Sequence, residues 1–342
     1  MSMLSELREG PAIVEGLLAN AVDQVEQVAR AVRDRHLELA VIAARGTSDH
    51  AAIYAQYILG ARNGILVAPA APSLTSLYGT TPCVDNALVL GISQSGRSPD
   101  VVSVLTESRR QGALTVAITN EPNSELAEAA EYLVELEAGP ERAVAATKTY
   151  LAEIAVVAML SAALSDDELS RRQLAQLPAA LWSALDREAV IAPMAQEWAR
   201  ESRCAVLARG FQYATAREWA LKLKELAYVL ADPYSAADFQ HGPIALVNAG
   251  FPVLAVATTG PALEGMIELF DRLRAGQAKL LVMSDDERLR AFGDFVSLPP
   301  APEWLAPLVA ILPAQLFAYH LARARGLDTE NPRNITKVTL TK

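Results

Sequence analysis

Short, unbroken apolar runs, each followed by a polar loop, recur along this chain. In the first half ELAVIA runs into ARGTS, ALVLGI into SQSG, and LTVAIT into an asparagine. In the second half CAVLA runs into RGFQ, PVLAVA into TTG, and KLLVM into SD. The apolar residues are continuous rather than alternating, which suits parallel strands covered on both faces. Gly46 and Gly210 stand 164 residues apart, as do Gly96 and Gly260, so the second half reads as a repeat of the first. Helical stretches lie between the strands. Residues 100–111 form one, entered through Ser98-Pro99-Asp100: Ser98 is the expected N-cap, Pro99 suits the first helical position, and Asp100 complements the helix dipole. The alternation predicts an α/β chain of two tandem αβα sandwich modules with parallel sheets and right-handed crossovers. Each module closes on a long apolar helix, over 147–164 and 304–325. The expected boundaries are an N-terminal helical segment at 1–36 (its helix over roughly 11–35), a first module at 37–165, a helical connector at 166–200, a second module at 201–330 and a tail at 331–342.

Composition narrows the field. The chain has 342 residues, 51% hydrophobic and 20% charged, with mean hydropathy +0.18, enough apolar matter for two buried cores. A net charge of −10 and a pI near 5.0, without any dense Lys/Arg run, argue against nucleic acid as a partner. An anionic small molecule stays possible, because local donors outweigh a distant net charge screened over about 8–10 Å. Cys83 and Cys204 lie far apart and outside any ligand spacing, so neither a disulfide framework nor a cysteine metal site is expected. The N-terminus is charged and amphipathic and does not read as a signal peptide. The apolar stretches at 154–164 and 305–322 read as buried helices, the second carrying Pro307, Pro313, Gln315 and His320. The expectation is a cytoplasmic protein without membrane contact.

In open parallel sheets, ligands bind beyond the carboxyl ends of the strands. Two loops of the first module fall there, Arg45-Gly46-Thr47-Ser48 and Ser93-Gln94-Ser95-Gly96-Arg97-Ser98. A phosphate monoester requires many short donors converging near a helix N-terminus, and the second loop supplies three hydroxyls, an amide and a glycine. Alone, SxSG could be an ordinary polar turn; between a buried strand and a Pro-started helix it reads as a phosphate loop. Its second-module counterpart, Thr258-Thr259-Gly260-Pro261, has fewer hydroxyls and is expected to bind no phosphate, or to be degenerate.

In the stretch ATAREWALKLKELAY, Glu218, Lys222 and Glu225 share one helical face. Taken alone, they read as a solvated ion-pair set worth a few tenths of a kcal/mol. The following loop, Asp238-Phe239-Gln240-His241-Gly242-Pro243, holds a histidine outside any helical face, and a carboxylate with a loop histidine is a usable acid/base set. His36, His50 and His320 fall in expected helices, and His36 and His320 are given structural roles.

The motifs ARGTS, ISQSG, ERAVAATK, ALKLKELAY, FQHGP and NPRNITK, in this order, resemble the sugar isomerase (SIS) domain family. They are similar in particular to the tandem isomerase half of glucosamine-6-phosphate synthase and to stand-alone isomerase-type glucosamine-6-phosphate deaminases. The resemblance runs from about residue 38 to the C-terminus. It implies five-stranded sheets of flavodoxin-like topology and a homodimer with a shared active site. It puts phosphate on Ser93, Gln94, Ser95 and Ser98, sugar contacts on Thr47, Ser48 and the Val144 backbone, and the catalytic carboxylate on Glu225, with Glu218 and Lys222 beside it. The ring-opening histidine becomes His241, supplied across the subunit interface, and the tail lysine Lys337. Ala146 replaces a family serine, and Arg97 a residue that is commonly acidic.

The synthase also has a glutaminase domain with an N-terminal cysteine, whereas residue 2 here is Ser2, so glutamine-dependent synthesis is not expected. The expected activity is conversion of glucosamine 6-phosphate to fructose 6-phosphate and ammonia, with no metal or redox cofactor. The alternatives are an aldose–ketose isomerase/deaminase or a deglycase acting on another amino-sugar phosphate, galactosamine 6-phosphate or fructosamine 6-phosphate, or a non-catalytic sugar-phosphate-binding regulator.

Overall fold

In a computed structural model of the chain, residues 2–337 are described; residues 338–342, part of the expected tail, lie outside them. The elements in chain order begin with helices α1 (Met3–Asn20) and α2 (Val22–Asp34). The first strand-bearing region follows as β1 (Leu39–Ala43), α3 (Thr47–Asn63), β2 (Leu66–Pro69), α4 (Pro72–Ser76), β3 (Leu88–Ile92), α5 (Pro99–Arg110), β4 (Leu114–Thr119), α6 (Glu125–Ala129), β5 (Tyr132–Glu135) and α7 (Lys148–Ser165). Helices α8 (Glu168–Leu185) and α9 (Glu188–Glu197) form the connector. Then come β6 (Arg203–Ala208), α10 (Tyr213–Ala227), β7 (Leu230–Ser235), α11 (Ala236–Gln240), β8 (Pro252–Val256), α12 (Leu263–Ala275), β9 (Lys279–Ser284), β10 (Asp294–Ser297) and α13 (Ala306–Ala324).

The two sheets have orders β2-β1-β3-β4-β5 and β7-β6-β8-β9-β10, every pairing parallel. Those orders are the same doubly wound order written twice, so the duplication read from the glycine spacing is present in the strand topology. In each sheet the direction of winding reverses between the first and third strands of the module, which opens a crevice at their carboxyl ends.

Two compact units result, one of Glu9–Arg142, Ala146–Gln176 and the last described residues Thr336 and Lys337, the other of residues 2–8, Ala143–Ala145 and Leu177–Ile335. In the first, Val89, Val101, Leu105, Ala117 and Leu126 form a core between sheet and helices, and α7 packs on α3 and α2 on the other face. In the second, Leu207, Phe239, Val253, Leu269, Phe270 and Val282 do the same, with α13 against α10 and α9. Each Val, Leu or Phe among them contributes about 1.5–3 kcal/mol on full burial.

The central strands are buried throughout: β3, β4 and β8 expose none of their residues. Helix α7 is likewise buried along nearly its whole length, which explains why its sequence is apolar all round rather than striped. Among the described residues it is the one helix long and apolar enough to cross a membrane, and 89% of that span is buried inside the protein. Both cysteines are free; Cys83 is exposed, and burial pushes the Cys204 thiol up to about 12.

Local expectations needed correction in four places. The first helix starts at Met3 and continues through Pro11, well before the expected start. Ser98 takes the N-cap position of α5 with Pro99 behind it, but its hydroxyl makes no capping bond. His36 sits in a turn at φ 51° rather than in a helix. Asp238, Phe239 and Gln240 belong to the short helix α11, and only His241 and Gly242 are loop.

Candidate active site

The chain leaves β3 at Ile92 and turns sharply to enter α5. Gly96 makes the turn at φ 61°, and a β-carbon there would stand 2.0 Å from Ser124 Oγ. Only glycine satisfies both the left-handed backbone and this close approach. Within the loop the Ser93 hydroxyl accepts the Gly96 N–H at 3.2 Å and the Ser95 hydroxyl accepts the Arg97 N–H at 3.3 Å. Both serines act as acceptors here, so their O–H hydrogens remain to be donated. Gln94 and Ser98 are half-buried beside them. The backbone thus fixes a set of hydroxyl donors at the start of a twelve-residue helix, the arrangement a phosphate dianion requires.

The adjoining loop after β1 turns through Gly46 at φ 56° into α3. Arg45 Nε reaches Asp100 Oδ2 at 2.7 Å, with Asp100 almost fully buried, which ties this loop to the first turn of α5. Thr47 is half-buried. Ser48 is buried and donates to Glu153 Oε1 on α7 at 2.7 Å. Its hydroxyl hydrogen is therefore committed to a carboxylate in this state.

A residue not singled out from sequence lies between β5 and α7. Glu141 has a fully buried side chain. Its Oε1 accepts the Thr147 N–H at 2.9 Å and the Thr149 N–H at 3.2 Å. Its Oε2 accepts the Thr149 hydroxyl at 2.8 Å and the Lys337 ammonium at 2.5 Å. A buried carboxylate persists only when such donors replace its water. The signal available in sequence was the acidic residue of GPERAVAATK, but its partner Lys337 is 196 residues away. Val144 is half-buried, and its neighbour Ala143 donates its N–H to Glu6 at 3.0 Å. Ala146 is half-buried.

In the second unit the expected solvated pair is instead a buried triad. Glu218 and Lys222 have no exposed side-chain surface, and Glu225 is 22% exposed. Lys222 Nζ lies 3.1 Å from Glu218 Oε1 and 2.7 Å from Glu225 Oε2. Burial alone would push the ammonium down; the two carboxylates outweigh it and hold Lys222 above its ordinary value. The arrangement leaves Glu225 as the one member of the triad open to solvent. His241 is exposed and caps α11, its own N–H donating to Asp238 O at 3.0 Å, and its ring has no partner among the described residues. His320, by contrast, pairs with Glu188 at 3.0 Å on the connector, consistent with a structural role.

The duplicated topology and these strand-end loops agree with the comparisons. The SIS domain profile matches residues 38–163 and again 198–325. The chain belongs to the SIS domain family. It is 33% identical over 352 residues to the isomerizing glutamine–fructose-6-phosphate aminotransferase of Thermus thermophilus. That match covers 98% of this chain but 58% of the relative, so the chain spans little more than half its length. Among solved structures, a candidate phosphosugar isomerase from Silicibacter pomeroyi matches with TM-score 0.89 and 33% identity, covering 96% of this chain and 100% of that one. The C-terminal domain of glucosamine-fructose-6-phosphate aminotransferase from Francisella tularensis follows at TM-score 0.88 and 26% identity, over 96% and 98%. The SIS resemblance read from ISQSG, FQHGP and their companions therefore stands.

Proposed function

We propose that this SIS protein is a phosphosugar isomerase of the amino-sugar kind, and specifically a deaminase of glucosamine 6-phosphate. The observation that carries the reading is the Ser93–Ser98 loop, whose serines accept backbone N–H groups and keep their own hydrogens to give to a phosphate. Gln94 and Ser98 complete the phosphate set, with Thr47, Ser48 and the Val144 backbone as sugar contacts. Ser48 would have to release Glu153 to serve in this way.

In the proposed reaction His241 promotes ring opening to the aldehyde. Glu225, oriented by its bond to Lys222, removes the proton from C2 and returns it to C1, which converts the aminoaldose through an enolamine to the C2 imine. Water adds at C2, the C2–N bond breaks, and fructose 6-phosphate and ammonia leave. One carboxylate serves because the two carbons are adjacent, and positioned proton transfer of this kind contributes about 10²–10⁴-fold. Lys337 is assigned to the oxygen at C1, where negative charge develops. Glu218 and Lys222 set the charge beside the base. The reading includes a homodimer in which the exposed His241 serves the partner's site, with a sugar phosphate as the small-molecule partner.

The purified protein mixed with glucosamine 6-phosphate should release ammonia and fructose 6-phosphate in equal amounts. No ammonia from this substrate or from galactosamine 6-phosphate would sink the deaminase reading. The aminotransferase similarity along 98% of the chain favours a second reading, the sugar-isomerising half of an amination reaction. Supplying fructose 6-phosphate with ammonia, and following glucosamine 6-phosphate, separates the two directions.

A further inference from the structure

The duplicated modules carry the same strand-end loop in two chemical states. In the first module the Ser93 and Ser95 hydroxyls keep hydrogens to donate, and the Ser95 N–H has no acceptor among the described residues. The residue after β4, Asn120, is turned to the following loop, where it holds the Ala138 N–H and the Gly139 carbonyl, both at 2.8 Å.

The second module reverses the two backbone points and has Ala257 in the place of Ser93. Thr259 takes the place of Ser95, and its N–H is already given to Asp285 Oδ1 at 2.8 Å. Asp285, the residue after β9, stands where the first module has Asn120. Thr258, in the place of Gln94, accepts from the buried Gln212 side chain at 3.3 Å. Gly260 has left the left-handed turn of Gly96 for φ 156°, and a β-carbon on it would lie 2.5 Å from the carboxyl carbon of Glu303. Glu303 comes from the segment between β10 and α13 and is half-buried over the loop. Glu303 itself lines the pocket beside the loop, together with Arg209, Gln212, Thr258 and Met266.

We propose that Asp285 and Glu303 are the specificity residues that confine phosphate binding to the first module. One carboxylate consumes a backbone donor that an anion would use, and the other fills the space with negative charge. The inference rests on the phosphate reading of the Ser93–Ser98 loop and extends it to why a duplicated scaffold takes one phosphate rather than two. It accounts for more than the loss of hydroxyls, because Thr258 and Thr259 still carry two.

The test is calorimetric titration of the full chain with inorganic phosphate, with circular dichroism to verify folding. Wild type should bind one phosphate per chain, and D285A/E303S, which removes the acceptor of the Thr259 N–H, should bind two. In the S93A/S95A background the wild-type site should disappear while the D285A/E303S site remains. E303A alone provides a second route should the double variant not fold, and it too should add a site. Two phosphates on the wild-type chain, or no added site in either folded variant, overturns the proposal. Failure of S93A/S95A to remove the wild-type site would instead overturn the phosphate reading of the first loop. The gain from D285A/E303S is measured against its own S93A/S95A parent, so it is judged separately.

Discussion

The two modules share a strand order and differ in almost everything at their strand ends. Gly46 and Gly210 both take positive φ, 56° and 63°, though Gly46 leads straight into α3 and Gly210 opens a short 3-10 turn before α10. Gly96 and Gly260 differ in the backbone itself, at φ 61° and 156°. After the first strand the modules also diverge in side chains: Ser48 on α3 meets Glu153, whereas α10 carries the buried Glu218–Lys222–Glu225 triad. The two copies share the apolar sheets, where a change in volume costs packing energy, and differ at the strand-end loops. The proposed division places phosphate recognition on one copy and proton transfer on the other.

The largest expected effect tests the proton-transfer side. Glu225→Gln removes the base while preserving shape, and turnover should fall about 10²–10⁴-fold with phosphate affinity nearly unchanged. Steady-state rates and phosphate titration on one preparation decide it, and full activity in the variant would displace Glu225 from its role. Next comes the triad's structural weight. Lys222→Met leaves two carboxylates without their buried cation and should destabilise the fold by about 3–5 kcal/mol, read by denaturant unfolding. The sign of its pH dependence follows from the raised ammonium. A folded-state value above the unfolded one gives stability that is complete below about pH 10.4 and lost as pH rises through the folded value. Wild type should therefore lose stability in strong alkali faster than Lys222→Met does.

A paired substitution sharpens the comparison further. Gly96→Ala should weaken phosphate binding at least about tenfold, since lost hydrogen bonds to a charged group are worth about 1.5–3 kcal/mol each. Gly260→Ala should leave phosphate binding within a factor of about two. Equal losses would mean that both loops serve the ligand. The smallest effect concerns the second module's core. The Gln315 amide on α13 is fully buried with neither its oxygen nor its nitrogen hydrogen-bonded. Gln315→Leu should raise stability by about 1–3 kcal/mol, seen as a higher melting temperature.

Much of this architecture was legible in the chain because the central strands announce themselves. LVLGI and LTVAIT are buried on both faces and so are apolar at every position. The edge strands are harder to read. Strand β7, LADPYS, carries an aspartate and a proline, which a strand with one open edge tolerates. At the site, the positions of Ser93, Ser95 and Gly96 followed from local rules about turns and helix starts. The burial of Glu218 and Lys222 did not. An i,i+4 pair looks the same in sequence whether its helix face meets water or packed protein, and only tertiary packing distinguishes them. Glu141 was missed for the same reason, since its donors come from α7 and from a lysine near the end of the chain.

That last contact bears on how the chain can be taken apart. Lys337 closes the donor set of a carboxylate buried in the first unit, so residues 9–176 do not carry their own full complement of charges. A designer who excised that stretch as a minimal phosphate-binding scaffold would inherit a stranded anion, at a cost of about 3–5 kcal/mol. The remedy is to splice the tail's lysine back in through a short linker, or to replace Glu141 with glutamine, whose amide oxygen can still accept from Thr147 and Thr149.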